Sequence, residues 1–247
     1  MLKRVIPEKK KSDFGPRIAN SPKIKLMKSR FLSLSVVGLG LFFSGCSFNA
    51  GYNPSYISSQ PMALGIAGKS LVVLDVGDAA WTYSGSPTSF TGGGTTLTIP
   101  MGEITKQIAL KVFGAAFKEG AEFRHTAGDV KGYRLVVQPK VSQFNYAYNQ
   151  LKNLGFAITP QVQIQLRVVM TGPGGKQILE KTYESGLPEG ESYMVSGQPA
   201  EKVNQILHIT LFKLMTDAAI EAKTVLEKSG APKPVAFAAE SPETDRT

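Results

Sequence analysis

The sequence from residue 159 to residue 170 alternates between apolar and polar side chains. The apolar members are Val162, Ile164, Leu166, Val168 and Met170, and the polar members are Gln161, Gln163, Gln165 and Arg167. Successive side chains of a β-strand point to opposite faces of its sheet, so this pattern predicts an antiparallel strand with one buried face. Other parts of the chain must therefore cover that apolar face.

Two segments with helical periodicity can form the covering layer. Residues 102–119 place Ile104, Ile108 and Val112 on one side of a helix, and residues 199–228 carry apolar side chains at the same spacing. Further apolar runs predict strands at residues 71–76, 121–125, 133–148 and 177–184. We therefore predict an α+β fold, a two-layer sandwich in which a mostly antiparallel sheet of about five strands carries two helices on one face.

The predicted strand at residues 133–148 changes face along its length. Its early apolar residues occupy odd positions, whereas Phe144, Tyr146 and Tyr148 occupy even ones. Together with Pro139, this change predicts a β-bulge or an edge position. Because aromatic side chains are enriched at interfaces, Phe144, Tyr146, Tyr148 and Phe156 are the candidate partner-binding residues. The alternative interpretation is that they cover one end of the sheet core.

The N-terminal 45 residues have the layout of a cleaved leader. An apolar run at residues 31–45 follows the basic residues Lys28 and Arg30 and ends just before Cys46, the sole cysteine. A positive segment, a short apolar run and small residues before the cut are typical of a signal peptide. Fifteen residues are fewer than the roughly 20 of a membrane-spanning helix. Residues 1–45 are therefore predicted to be a leader and signal peptide, with Met27 as an alternative start.

The sequence Phe43-Ser44-Gly45-Cys46 resembles the lipobox of bacterial lipoproteins, although Phe43 stands where that motif usually has Leu. The resemblance implies that Cys46 is lipidated after cleavage and that its acyl chains bind a membrane. Ser47 stands where an Asp tends to retain lipoproteins in the inner membrane, which implies an outer-membrane anchor and a domain facing the periplasm. The alternative is a plain secretory signal followed by a free thiol.

The formal net charge of +9 lies almost entirely in the leader. Residues 1–45 contain ten of the 28 Lys and Arg residues but two of the 19 Asp and Glu residues. Residues 46–247 keep 18 basic and 17 acidic side chains, which is close to neutral. A chain without a concentrated positive charge is a poor match for a polyanion, so we expect no nucleic-acid partner.

Composition divides the remaining 202 residues into three parts. Residues 46–69 are polar and rich in Gly, Ser, Tyr and Pro, which predicts a flexible tether. Residues 70–228 are predicted to form a single α+β domain, with a polar loop at residues 81–98. Residues 229–247 lack periodicity and are predicted to be a disordered tail.

Three stretches carry a further resemblance. They are Tyr-Arg-Leu-Val-Val-Gln-Pro-Lys-Val-Ser-Gln-Phe from Tyr133, Ile-Thr-Pro-Gln-Val-Gln-Ile-Gln-Leu-Arg-Val from Ile158, and Lys-Thr-Tyr-Glu-Ser-Gly from Lys181. With the long last helix they resemble the YajG-type lipoproteins. More loosely, they are similar to auxiliary lipoproteins of envelope ABC transporters and to the lipopolysaccharide-assembly lipoprotein. The resemblance implies a location in the envelope and an α+β fold more than an activity.

The sequence offers no catalytic or metal-binding motif. His125 and His208 are the two histidines, one at the end of a weak strand and one among apolar residues of a predicted helix. The glycines at 92–94 lack the Lys-Ser/Thr of a phosphate loop, and Glu189 and Glu191 are interpreted as solvated loop charges. A hydrolase needs a nucleophile, a base and an orienting group that converge. We expect no catalytic residues, no metal and no cofactor.

These patterns favour a non-catalytic, lipid-anchored envelope lipoprotein. Its periplasmic domain is expected to bind another envelope protein as an accessory or structural subunit. The alternative function is a carrier module that binds a lipid or a glycan. A third and less favoured class is an envelope hydrolase that uses His125 or His208.

Overall fold

The computed structural model describes residues 46–89, 94–149, 157–194 and 199–229. The predicted leader at residues 1–45 and residues 230–247 of the predicted tail lie outside this part. The described strands are β1 (Cys46–Asn49), β2 (Lys69–Val73), β3 (Tyr83–Gly85), β4 (Thr95–Ile99), β5 (Ala121–Arg124), β6 (Tyr133–Asn149), β7 (Ala157–Thr171), β8 (Gln177–Glu184) and β9 (Tyr193–Met194). The α-helices are α1 (Val76–Ala80), α2 (Met101–Ala116) and α3 (Pro199–Lys228).

The main sheet has the strand order β5-β2-β6-β7-β8, and β9 pairs with the start of β7. Strand β2 runs parallel to β5 and β6, whereas β6, β7 and β8 are antiparallel. Helix α2 lies between β2 and β5 in the chain and provides the crossover that parallel neighbours need. Helices α2 and α3 pack against each other and against the sheet. The predicted α+β sandwich is confirmed.

The apolar face of β7 forms the centre of the core. Its five apolar side chains from Val162 to Met170 are fully buried, as the alternation predicted. They pack against the apolar sides of both helices, in one cluster that includes Ile104, Ile108, Leu207 and Leu211. Burial of each such side chain contributes about 1.5–3 kcal/mol. The opposite face of β7 carries the half-exposed glutamines and Arg167.

Strand β6 contains the predicted β-bulge. Val141 pairs with Leu166 and Gln143 pairs with Gln165, so Ser142 is the extra residue. An extra residue shifts the alternation by one, which turns the even-numbered aromatic residues beyond it toward the core. Strand β2 pairs with β6 only from Tyr133 to Val137, so the rest of β6, which includes Pro139, has β7 as its one paired strand among the described residues. The predicted edge position therefore applies to this second half.

A second, three-stranded sheet has the order β1-β4-β3. It corrects the predicted polar loop at residues 81–98, since β3 and most of β4 lie in that range. Leu97 and Ile99 alternate with threonines along β4 and are buried in the main core. The short alternation of two apolar residues with threonines explains why composition alone indicated a loop.

Candidate functional site

The N-terminal segment, residues 46–69, is packed onto the domain. Strand β1 pairs in parallel with β4, and the segment continues through a 3₁₀ turn at Pro54–Tyr56. Ile57 and Ile66 are buried in the main core. The prediction of a flexible tether is therefore corrected: a few apolar side chains, widely spaced in a polar sequence, bind this segment to its neighbours.

His208 of α3 holds the middle of the N-terminal segment. Its Nε2 accepts a hydrogen bond of 3.1 Å from the backbone N–H of Asn53, and its Nδ1 lies 2.8 Å from the carbonyl oxygen of Asn204. The neutral ring with its proton on Nδ1 satisfies both contacts, since Nδ1 donates while Nε2 accepts. The rings of Tyr52 and Tyr56 lie 5.5 and 5.4 Å from the imidazole. Burial lowers the pKa of His208, which favours this neutral form.

Asn204, one turn before His208, provides a second contact to the same segment. Its Nδ2 donates a hydrogen bond of 2.7 Å to the carbonyl oxygen of Gly51. Its Oδ1 is buried and has no hydrogen-bond partner among the described residues. Gly51 and Asn53 are thus bound to α3 at positions 204 and 208.

A cleft of about 690 Å³ lies between the N-terminal segment and the start of α3. Phe48, Tyr52 and Tyr56 line one side, and Pro199 and Ala200 line the other. Phe48 is two residues from the predicted lipidation site in the same strand. The cleft joins three aromatic rings with backbone and side-chain amides, a lining that suits a ligand with both apolar and polar parts.

The predicted partner-binding aromatic residues are part of the core. Phe144, Tyr146 and Tyr148 are 4%, 1% and 7% exposed, so they offer no contact surface, and the core interpretation is the correct one. The small sheet covers them: the ring of Tyr83 lies 4.8 Å from that of Phe144, and the hydroxyl of Tyr146 donates to the carbonyl oxygen of Gly85. Burial raises the pKa of Tyr146 to about 12. Phe156 lies outside the described residues.

An exposed stripe on α3 was missed by the sequence analysis. It consists of Ile209, Lys213, Thr216 and Ile220, at the spacing of one helix face, with the two isoleucines 48% and 41% exposed. A groove of about 320 Å³ runs along its first half, where Ile57 of the N-terminal segment forms the opposite wall. The sequence signal was two isoleucines eleven residues apart, which is three helical turns.

His125 lies in a different pocket, of about 330 Å³, beyond the carboxyl ends of β2 and β5. Its Nδ1 is 3.2 Å from the carbonyl oxygen of Leu74. The charged residues around it are already paired, because Lys140 contacts Asp78 at 2.7 Å and Arg167 contacts Glu180 outside the pocket. The two histidines therefore lie in separate environments and do not contact each other.

The part of the chain that the structure describes contains no cluster of three or more His, Cys, Asp or Glu side chains suited to a metal. Within the same ranges, no helix combines the length and hydropathy required to cross a bilayer.

The chain matches no known protein-family model, and no curated protein is similar to it in sequence. Two solved structures illustrate its similarities. A neuraminyllactose-binding hemagglutinin homolog from Helicobacter pylori is 8% identical, with a TM-score of 0.36 over 72% of this chain and 96% of the other. A minor lipoprotein from Acinetobacter baumannii is 11% identical, with a TM-score of 0.26 over 69% and 98%. The resemblance to YajG-type lipoproteins stays a prediction.

Proposed function

We propose that this protein is a lipid-anchored, non-catalytic lipoprotein of the bacterial envelope whose domain binds another envelope protein. One observation carries the proposal: Cys46, the cysteine of the lipobox-like sequence, is the first residue of β1 and pairs with Thr95 in the fold. Lipid on this cysteine would attach the folded domain directly to a bilayer. Ser47 and the YajG-type resemblance support an outer-membrane location facing the periplasm.

The anchor is tested by the mass of the mature N-terminus and by fractionation. Each acyl methylene that enters the bilayer contributes about 0.8 kcal/mol, so a chain with two or more acyl groups binds stably. We expect a triacylated Cys46 in the membrane fraction and a Cys46→Ser variant that is not processed normally. Ser47→Asp serves as the matched variant, since it keeps the lipid and is expected to move the protein to the inner membrane. An unmodified Cys46 would refute the anchor.

The exposed stripe on α3 is the proposed partner surface. It offers two exposed isoleucines beside Lys213 and Asp217, and a non-obligate interface is about as apolar as the rest of a protein surface. A photo-crosslinking side chain at Ile209 or Ile220 should capture the same envelope protein in intact cells. Val76 on α1 is the matched control, because it is exposed and apolar but lies outside the stripe. Equal capture from all three positions would argue against a specific surface.

The proposal assigns no catalytic role to either histidine. Both ring nitrogens of buried His208 contact backbone groups, and Nδ1 of His125 contacts the carbonyl oxygen of Leu74. A hydrolase would lose its activity on a model ester or peptidoglycan substrate in a His125→Ala variant. We expect no activity above background for either protein.

The cleft supports a second candidate function, a carrier of a lipid or glycan. Its volume of about 690 Å³ fits a small ligand, and its lining combines aromatic rings with the side-chain amides of Asn49 and Asn53. Native mass spectrometry of the purified lipoprotein should then show a non-covalent ligand that an Ala200→Trp variant cannot hold. A ligand-free spectrum for the unaltered protein would leave the accessory-subunit function as the better account.

A further inference from the structure

The N-terminal segment and α3 lie side by side and run in the same direction. Gly51 contacts Asn204, and two residues later Asn53 contacts His208. Two residues of extended chain cover about 6.6 Å, and four residues of helix cover about 6 Å. The two contacts are therefore spaced equally along both elements, as expected when the segment runs parallel to α3. Followed backward, the segment leads toward the first turn of α3, where Phe48 and Pro199 line the same cleft.

Cys46, two residues before Phe48 in the same strand, therefore lies near the N-terminal end of α3. From Gly51 back to Cys46 an extended chain covers up to about 16 Å, whereas α3 extends about 7.5 Å from Asn204 back to Pro199. The strand conformation of Cys46–Asn49 keeps the first four residues extended.

Strand β9 lies at this same end of the domain. Met194 pairs with the first residue of β7. Near the start of β7, Gly190 packs directly against Ile206 of α3. Further along the sheet, Tyr183 donates to Glu221, which lies later in α3. Because α3 and β7 advance in the same direction, the start of β7, with Met194 beside it, lies near the first turns of α3.

We infer that this end of the domain, formed by β1, the cleft and Met194, lies against the lipid head groups of the anchoring membrane. The inference rests on lipidation of Cys46 as proposed above. Because no free tether separates β1 from the fold, the acyl chains leave the domain at a fixed place and set its orientation. Met194 is 64% exposed, and Tyr52 and Tyr56 in the cleft belong to the residue type enriched where water meets lipid.

The orientation is tested with spin labels in the complete lipoprotein. The chain has one cysteine, and its thiol carries the lipid, so a cysteine introduced at Met194 or Ile220 is the sole free thiol. Both positions are exposed and apolar, and Ile220 is about 31 Å along α3 from Pro199. The probe is a phosphatidylethanolamine–phosphatidylglycerol nanodisc containing a nickel-chelating lipid. We expect relaxation by head-group nickel to be at least about threefold stronger for Met194→Cys than for Ile220→Cys.

Two outcomes would overturn the inference in different ways. Acylated Cys46 with equal relaxation at both labels would overturn the orientation and leave the anchor standing. Unmodified Cys46 in the N-terminal mass would overturn both. A Gly-Ser insertion of about twelve residues between Ser47 and Phe48 provides the matched control, because it adds a flexible link between the anchor and the fold. We expect the insertion to remove the difference between the labels, and a difference that persists would contradict orientation by the short anchor.

Discussion

The backbone N–H of Asn53 donates a hydrogen bond to Nε2 of His208, which is 155 residues away in the chain. This partly buried contact joins the N-terminal segment to the long last helix. The composition of residues 46–69 predicts a flexible tether, whereas this contact makes the segment part of the fold.

Replacing His208 with Phe should loosen the N-terminal segment. The change removes the acceptor of the Asn53 N–H, and a buried donor left without a partner costs about 1–3 kcal/mol. Urea unfolding should show this loss, and limited proteolysis should cut the variant first within residues 46–69. His125→Phe is the matched control, because His125 is less buried and makes one such contact. Equal losses for both variants would contradict a special role for His208.

Stability should fall as the pH decreases below about 6.5, where an unfolded histidine takes up a proton. Burial lowers the pKa of His208 in the folded protein, so between that pKa and about 6.5 the unfolded chain binds more protons. The free energy of unfolding should therefore decrease by up to about 1.4 kcal/mol per pH unit within this window. Urea titrations from about pH 8 to about pH 5 measure the slope. If His208 causes this slope, the His208→Phe variant should lack it, and the slope should appear in the difference between the two profiles.

Deletion of Ser142 should prevent stable folding. Removing the bulged residue reverses the alternation beyond it, which would turn Phe144, Tyr146 and Tyr148 out of the core. Circular dichroism and urea unfolding of the deletion variant test this. Ser142→Ala keeps the residue count and loses only the hydrogen bond to Gln165, so it should cost no more than about 1.5 kcal/mol. A deletion variant as stable as Ser142→Ala would show that the register can slip without loss.

Phe144→Ala should lower the stability of the domain, whereas Ile220→Glu should weaken binding of the partner protein and leave stability unchanged. Phe144 is buried beneath the small sheet, so its truncation should cost about 3–5 kcal/mol of unfolding free energy. Ile220 is exposed, so a change there should stay within about 0.5 kcal/mol. Partner capture from intact cells should nevertheless fall for Ile220→Glu. Unchanged capture in Ile220→Glu, at normal stability, would remove the stripe from consideration.

Gly102→Ala should destabilise the contact between α1 and α2. A Cβ at Gly102 would overlap the backbone carbonyl oxygens of Asp78 and Ala79, and this packed backbone cannot move aside cheaply. We expect a loss of about 1–3 kcal/mol in unfolding free energy. Gly114→Ala in the same helix is the control, because its Cβ meets nothing closer than 4.0 Å. That variant should gain up to about 1 kcal/mol from helix propensity.

The main sheet and both long helices could be predicted because each carries its own periodic signal. The alternation in β7 and the helical spacing in α3 repeat over many residues, and burial of one face is the physical cause of both patterns. The same logic located the bulge in β6, since the apolar residues change parity on either side of Ser142. Strand β4 was missed because Leu97 and Ile99 are too few to establish a period.

The candidate surfaces were harder to predict because exposure depends on what lies above a side chain. Aromatic residues are typical of interfaces, yet the small sheet covers Phe144, Tyr146 and Tyr148. Isoleucine is a residue type that is usually buried, yet Ile209 and Ile220 lie on the uncovered side of α3. No local pattern distinguishes these cases, because the covering element comes from a distant part of the chain.

The sequence by itself determined the α+β class, the change of face along β6 and the lipobox-like Cys46, since each depends on residues close together in the chain. The tertiary structure decided that residues 46–69 are part of the domain. It also decided that His208 is a buried neutral ring and that the aromatic residues of β6 belong to the core. The physical reason is that burial and hydrogen-bond partners arise from contacts between segments up to 155 residues apart, which local periodicity does not encode.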